Sequence, residues 1–123
     1  MILVDTSVWI DHLRHGEDRL AGLLESDEIG THPVVVEELA LGSIKNRAAI
    51  VESLGELIEF PVLRHSELLG FVEAHRLWGQ GLSAADAHLV GSALLRPGSR
   101  LWTRDKGLRR AATDVGAALV DWH

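Results

Sequence analysis

The chain has 123 residues, 46% of them hydrophobic and 24% charged, and a formal net charge of −6. This length and composition predict a single globular domain over residues 1–123 with a core of its own. Cysteine is absent, which excludes disulfides and thiolate metal sites. No apolar run reaches about 18 residues and no basic leader is visible, so we expect a cytoplasmic protein with no transmembrane helix and no signal peptide.

Short apolar runs alternate with amphipathic segments along the chain. The first run, Ile2 to Val4, ends in Asp5 and the hydroxyl residues Thr6 and Ser7, which predicts a buried strand followed by a capped helix. Helices are predicted at 6–14, 17–24, 33–41, 46–54, 66–78, 83–95 and 106–112. The β-branched run Val34 to Val36 could equally be a strand. Further strands are predicted at 29–32, 57–60, 101–103 and 117–120. This alternation predicts an α/β fold with a mostly parallel sheet and helices on both faces.

Two of the predicted strands run into an aspartate. Asp5 follows the first strand directly, and Asp105 follows the strand at 101–103 after one residue. Ligands of open α/β sheets bind outside the carboxyl ends of the strands, so we expect the two carboxylates to lie together at one edge of the sheet. Each also has an ordinary explanation, because Asp is a preferred N-cap residue of helices.

Two further acids lie on predicted helices. Asp86 shares a helix face that should be buried with Leu89, Val90, Ala93 and Leu94. A carboxylate there is costly unless a metal ion, an arginine or another polar group meets it, although Ser83 to Asp86 also resembles a capping box. Glu38 borders an apolar face, but periodicity barely separates it from Glu37, and either could be an ordinary solvated glutamate.

Together the four acids predict an oxygen-rich site of the kind that Mg²⁺ or Mn²⁺ prefers. Such ions can activate water and stabilise the oxygens of a phosphodiester. The net charge of −6 argues against simple electrostatic binding of nucleic acid. However, the segment 96–110 is locally basic, since only Asp105 opposes Arg96, Arg100, Arg104, Lys106, Arg109 and Arg110.

Four segments of the chain resemble motifs of the PIN domain, specifically those of VapC-type toxins from prokaryotic toxin–antitoxin pairs. They are ILVDTSVWI at 2–10, VEELALG at 36–42, LSAADAHL at 82–89 and LWTRDKGL at 101–108. Together they span nearly the whole chain and stand in the family's order. The family's glutamate directly precedes a leucine, with a glycine shortly after, which selects Glu38 over Glu37.

The resemblance implies a PIN-like three-layer sandwich and a metal-dependent endoribonuclease. RNA phosphodiesters would be hydrolysed by a metal-activated water, leaving a 5′-phosphate and a 3′-hydroxyl. The implied catalytic residues, which would hold Mg²⁺ or Mn²⁺ directly or through water, are Asp5, Glu38, Asp86 and Asp105. The resemblance further implies that the residues orienting these acids are Thr6, Ser7 and Thr103.

Partners are also implied by the resemblance. They are an RNA substrate, a second copy of the chain in a homodimer, and a VapB-type antitoxin that covers the acidic site, with no membrane involved. The candidates for contact with RNA are Arg104, Lys106, Arg109 and Arg110.

Two other functions remain open from the sequence. A Mg²⁺-dependent phosphoryl-transfer or receiver-like domain would also be α/β with an acidic site. A haloacid-dehalogenase-type hydrolase, however, would have a second acid where Ser7 stands, and a receiver would have an acid where the strand at 57–60 runs into Pro61. A PIN-like fold used only as a binding module would be expected to lack part of the acid set, which is complete here.

Overall fold

The computed structural model describes residues 1–122 and contains, within them, four strands and seven helices. In chain order they are β1 (Ile2–Val4), α1 (Thr6–His15), α2 (Asp18–Glu25), β2 (Ile29–Thr31), α3 (Pro33–Ala40), α4 (Arg47–Leu54), β3 (Ile58–Glu59), α5 (His65–His75), α6 (Ala84–Leu95), β4 (Arg100–Trp102) and α7 (Lys106–Val115). None of these helices is long and apolar enough to span a bilayer.

The strands form one parallel sheet in the order β3-β2-β1-β4. Ile2 of β1 pairs with Ile29 of β2 on one side and with Arg100 of β4 on the other. The chain therefore moves outward from β1 to β3 and then returns to the opposite side of β1. The carboxyl ends of β1 and β4 form the point where the strand order reverses, which is where open α/β sheets bind their ligands.

The core is built around β1, whose three residues are buried. Burial on both faces is expected of the central strand of a parallel sheet, because helices cover each side. Val35 of α3, Val90 of α6 and Leu108 of α7 are in the same buried cluster. The predicted α/β class, with a parallel sheet between layers of helices, is confirmed.

The predicted last strand at 117–120 is reduced to a single bridge. Leu119 pairs with Leu101 in parallel, on the side of β4 that faces away from β1. Among the described residues, two backbone hydrogen bonds hold this segment to β4, and both involve Leu101. The segment therefore covers the edge of β4 without extending the sheet as a full strand.

Helix α5 ends three residues earlier than the predicted boundary at Trp78. Arg76 adopts the left-handed conformation, with φ of 54°, and this terminates the helix. A left-handed residue after the last turn is a common end of a helix because it turns the chain away from the axis. Trp78 consequently lies in the following loop, where it is 56% exposed.

Close packing of the Phe60 ring against the backbone explains Gly30 in β2. A Cβ atom at this position would lie 2.4 Å from Cε1 of Phe60. We expect Gly30→Ala to lower the free energy of unfolding by about 1–3 kcal/mol, because the buried ring must shift to make room. Urea denaturation followed by circular dichroism measures this loss.

Gly22→Ala is the matched control for that variant. Gly22 lies on α2 with nothing within 4 Å of the position of its Cβ. Alanine there should stabilise the helix by up to about 1 kcal/mol. Equal destabilisation by the two substitutions would contradict the packing explanation.

Candidate active site

Asp5 lies at the carboxyl end of β1 and caps α1. Its side chain is only 8% exposed. Oδ1 accepts a hydrogen bond from the Thr6 backbone N–H at 2.7 Å, while Oδ2 accepts from the hydroxyls of Ser7 at 3.0 Å and Thr103 at 2.7 Å. The structure thus places Thr103 and Ser7, two of the residues expected to orient this acid, in direct contact with it.

Burial raises the pKa of Asp5 above its ordinary value of 3.8, and the nearby Asp86 carboxylate raises it further. The hydrogen bonds from Thr103, Ser7 and Thr6 lower the pKa but do not cancel the effect of burial. The protein therefore places a carboxylate where its negative charge is poorly compensated. A bound cation would supply the missing compensation.

Thr103 connects the ends of the two strands. It is completely buried, and its Oγ1 donates to Asp5 and accepts from the Asp105 backbone N–H at 3.1 Å. The Asp105 carboxylate is exposed and caps α7, with Oδ1 accepting from the Leu108 N–H at 2.8 Å. One buried hydroxyl therefore fixes the relative positions of Asp5 and Asp105.

Glu38 and its neighbour Glu37 lie in different surroundings. The Thr6 hydroxyl donates to Oε1 of Glu38 at 2.7 Å, which ties α3 to the start of α1 beside Asp5. Glu37 instead lines a cavity with Thr31 and Glu59. The structure accordingly brings Glu38, and not Glu37, to the carboxyl end of β1.

Asp86 is half-buried at the start of α6. Its Oδ2 accepts from the Ser83 N–H and its own N–H donates to Ser83 Oγ, both at 3.1 Å, so the capping box suggested by the sequence is formed. Leu89 and Val90, predicted to share its face, are buried. Asp5, Asp86 and Asp105 therefore all form helix-capping hydrogen bonds. Asp86 and Asp105 each use one carboxylate oxygen for this. Within residues 1–122, the other oxygen, Oδ1 of Asp86 and Oδ2 of Asp105, accepts no hydrogen bond.

No protein cation compensates the four acids in the described part of the chain. Across residues 1–122, none of them is in an ion pair, so the arginine considered as a partner for Asp86 is not there. Nor do any three acidic or histidine side chains in this range lie close enough to enclose a metal ion. Mg²⁺ usually binds through one or two carboxylates and several waters rather than a protein cage. The oxygen donors present fit Mg²⁺ or Mn²⁺ in charge and type.

The basic residues beside this site differ in how they are held. Arg104 donates to Asp11 and to Glu17, each at 2.6 Å, which ties the end of β4 to α1 and to the start of α2. Arg109 is half-buried and its Nη1 donates to the Thr103 carbonyl at 3.4 Å. The exposed cations are therefore Lys106 and Arg110, one turn apart on α7.

Asp11 and Glu17 were not predicted to lie near the site. They are 93 and 87 residues away from Arg104 in the sequence. No local pattern marks either one, because an exposed acid on a helix, like Asp11, and an acid at a helix start, like Glu17, are both common.

Comparison with known proteins agrees with the fold. A family model described as "PIN domain" matches residues 2–114. The chain is 56% identical over 121 residues to "Ribonuclease VapC32" from two strains of Mycobacterium tuberculosis, covering 98% of each sequence.

Two solved structures share the fold at low sequence identity. The crystal structure of FitAcB from Neisseria gonorrhoeae matches with a TM-score of 0.59 and 23% identity, over 100% of this chain and 99% of the other. That of PAE2754 from Pyrobaculum aerophilum matches with a TM-score of 0.58 and 19% identity, over 89% and 84%. At such identities, the likeness concerns the fold alone.

Proposed function

Because the chain belongs to the PIN-domain family, in its VapC-type branch, we propose that it is a metal-dependent endoribonuclease and the toxin of a type II toxin–antitoxin pair. The name of its relative, "Ribonuclease VapC32", supports RNA as the substrate class. The observation that carries the proposal is the buried Asp5 carboxylate, joined through Thr103 to Asp105 and lying beside Asp86 at the carboxyl end of β1.

In this proposal Asp5, Asp86 and Asp105 hold Mg²⁺ or Mn²⁺ directly or through the waters that the ion usually keeps, and Glu38 likewise acts directly or through water. The bound ion would supply positive charge to the phosphodiester oxygens and favour ionisation of the attacking water. Asp5 is oriented for this role by three hydrogen bonds, and Glu38 is oriented by Thr6. Such support of ligand groups by neighbouring hydrogen bonds commonly governs metal affinity.

A protein partner belongs to the same proposal. A VapC-type chain is expected to be paired with a VapB-type antitoxin that covers the acidic site, and to form a homodimer. Co-expression with the antitoxin should suppress RNA cleavage by the purified complex, and light scattering of the isolated chain should give twice the mass of one copy.

Metal titration of the antitoxin-free chain tests the site. We expect saturable Mn²⁺ binding by calorimetry, weakened at least about tenfold in Asp86→Asn by loss of the carboxylate charge. The asparagine oxygen can still accept from the Ser83 N–H, so the helix cap and the circular dichroism spectrum should be retained. A folded parent chain that binds no metal would instead favour the non-catalytic binding module.

RNA cleavage with end-group analysis tests the chemistry. The parent should give a 5′-phosphate and a 3′-hydroxyl in the presence of Mn²⁺, and chelation should stop the reaction. Ends carrying a 2′,3′-cyclic phosphate would point to attack by the ribose hydroxyl and would contradict hydrolysis by water.

Contact with RNA is assigned to the exposed face of α7. We expect Lys106→Glu and Arg110→Glu each to weaken RNA binding and to reduce the slope of log affinity against log salt by about 0.7 for each phosphate that is no longer neutralised. Filter binding at several salt concentrations measures both effects. Arg14→Glu, the same charge change in the last turn of α1, is the control. An equal effect of all three would indicate only a general response to net charge.

A further inference from the structure

A cavity lies beside β3, at the edge of the sheet opposite to β4. Its volume is about 200 Å³, and none of the four acids of the candidate active site lines it. We call it the edge cavity; its lining residues are Thr31, Pro33, Val36, Glu37, Gly55, Leu57 and Glu59. These residues come from the end of β2, the first turns of α3, and the segment that leads into and through β3.

Two carboxylates line the edge cavity without a cation to balance them. Glu37 lies on α3, and Glu59 lies on β3 in register with Thr31 on the neighbouring strand. Both are exposed, and no ion pair or side-chain hydrogen bond is formed by either one with any residue of 1–122. No lysine, arginine or histidine of that range lines the cavity. Two acids that share one small cavity favour a positively charged ligand.

Thr31 gives an independent sign of a missing partner. Thr31 lines the cavity and is only 4% exposed, and its side chain lies on the same face of the sheet as that of its register partner Glu59. Its Oγ1 is buried and has no hydrogen-bond partner among residues 1–122. Buried hydroxyls are nearly always hydrogen-bonded in native proteins. An N–H donor entering between the two acids would approach this hydroxyl.

We propose that the edge cavity binds a guanidinium or alkylammonium group. Its N–H donors would meet Glu37, Glu59 and Thr31, while its carbon stem would pack against Pro33 and Leu57, as the stems of lysine and arginine do on apolar surfaces. A divalent metal is the competing ligand, because Mg²⁺ can bind through two carboxylates and several waters, and a Mn²⁺ titration distinguishes the two. The site is separate from the proposed nuclease site and does not depend on it.

Titration with ethylguanidinium chloride, followed by amide NMR shifts of the full chain, tests the proposal. We expect saturable shifts at Thr31 and Leu57, and binding about tenfold weaker in Glu37→Gln and in Glu59→Gln, because each removes a charge-assisted hydrogen bond. Glu56→Gln is the matched control: Glu56 stands between two lining residues, carries the same charge and does not line the cavity. Ethylguanidinium should bind to this variant as it binds to the parent.

Three results of the ethylguanidinium titration and its controls would overturn the proposal, and a fourth comes from Mn²⁺. The first three are equal binding of the neutral analogue ethylurea, an equal loss in Glu56→Gln, and the absence of saturable shifts in the folded parent. In a separate titration, Mn²⁺ should not broaden the amide NMR signals of Glu37 and Glu59 more strongly than those around Asp5. Stronger broadening at Glu37 and Glu59 would overturn the proposal and indicate a metal site. Stronger binding of a blocked Gly-Arg-Gly peptide than of spermidine would support a side chain of a partner protein as the source of the cation, and the reverse order would support a free polyamine.

Discussion

Asp5→Asn is expected to reduce RNA cleavage by about a hundredfold or more and to abolish stabilisation by Mn²⁺, while leaving the metal-free chain at least as stable as the parent. Loss of activity follows from removing a charge that acts on the reacting groups. Retained stability follows from the raised pKa of Asp5, caused first by burial and then by Asp86. Removing a poorly compensated buried charge removes a cost of folding.

The stability of Asp5→Asn relative to the parent should depend on pH. Because the pKa of Asp5 is higher in the folded chain than its ordinary value of 3.8, the folded chain binds more protons than the unfolded chain in the interval between the two values. The contribution of Asp5 to stability is therefore full below the ordinary value and falls as pH rises through the raised one. As pH rises between these two pKa values, the stability of Asp5→Asn should increase relative to that of the parent. Above the raised pKa, the difference in stability should remain constant.

Thermal unfolding across this pH range, with and without Mn²⁺, measures both effects. A metal present at about a hundred times its dissociation constant should stabilise the parent by about 2.7 kcal/mol, and this gain should be absent in Asp5→Asn. Asp114→Asn, an exposed acid on α7, is the control and should behave as the parent does. Full Mn²⁺ stabilisation of Asp5→Asn would remove Asp5 from the metal site.

Thr103→Val should weaken Mn²⁺ binding and RNA cleavage about 10- to 100-fold, the usual effect of losing a group that orients a metal ligand. The substitution keeps the shape of a completely buried side chain but removes the hydroxyl that joins Asp5 to Asp105. We also expect the free energy of unfolding to fall by about 1–3 kcal/mol, since buried polar groups lose their partner.

The pKa of Asp5 distinguishes orientation from a merely structural role of Thr103. The bond from Thr103 is the largest of the influences that lower this pKa, so Thr103→Val should raise it further, as followed by carboxyl NMR. Thr103→Ser keeps the hydroxyl and should restore most of the metal affinity. A serine variant as impaired as the valine variant would show that packing of the methyl group, and not the hydrogen bond, matters.

Local sequence patterns were enough to predict the seven helices and the first four strands to within a few residues, together with the positions of Asp5 and Asp105 after strands. The strand predicted at 117–120 is the exception, since only one bridge forms there. The caps at Asp5, Asp86 and Asp105 were also visible as local patterns and are present in the structure. These features depend on residues within about four positions of one another, because helical and strand periodicity and capping are local interactions.

Which side chains meet across the fold could be read only from the packing of distant elements. Glu37 and Glu38 are adjacent on one helix and fit nearly the same periodicity. The family motif favours Glu38, but its contact with the Thr6 hydroxyl, 32 residues away, is a property of the fold. Arg104, expected from its charge to contact RNA, is paired with Asp11 and Glu17. The strand order that places β4 beside β1, and the edge cavity beside β3, likewise depend on how distant elements pack. Contacts of this kind depend on chain crossovers and packing, which no local periodicity records.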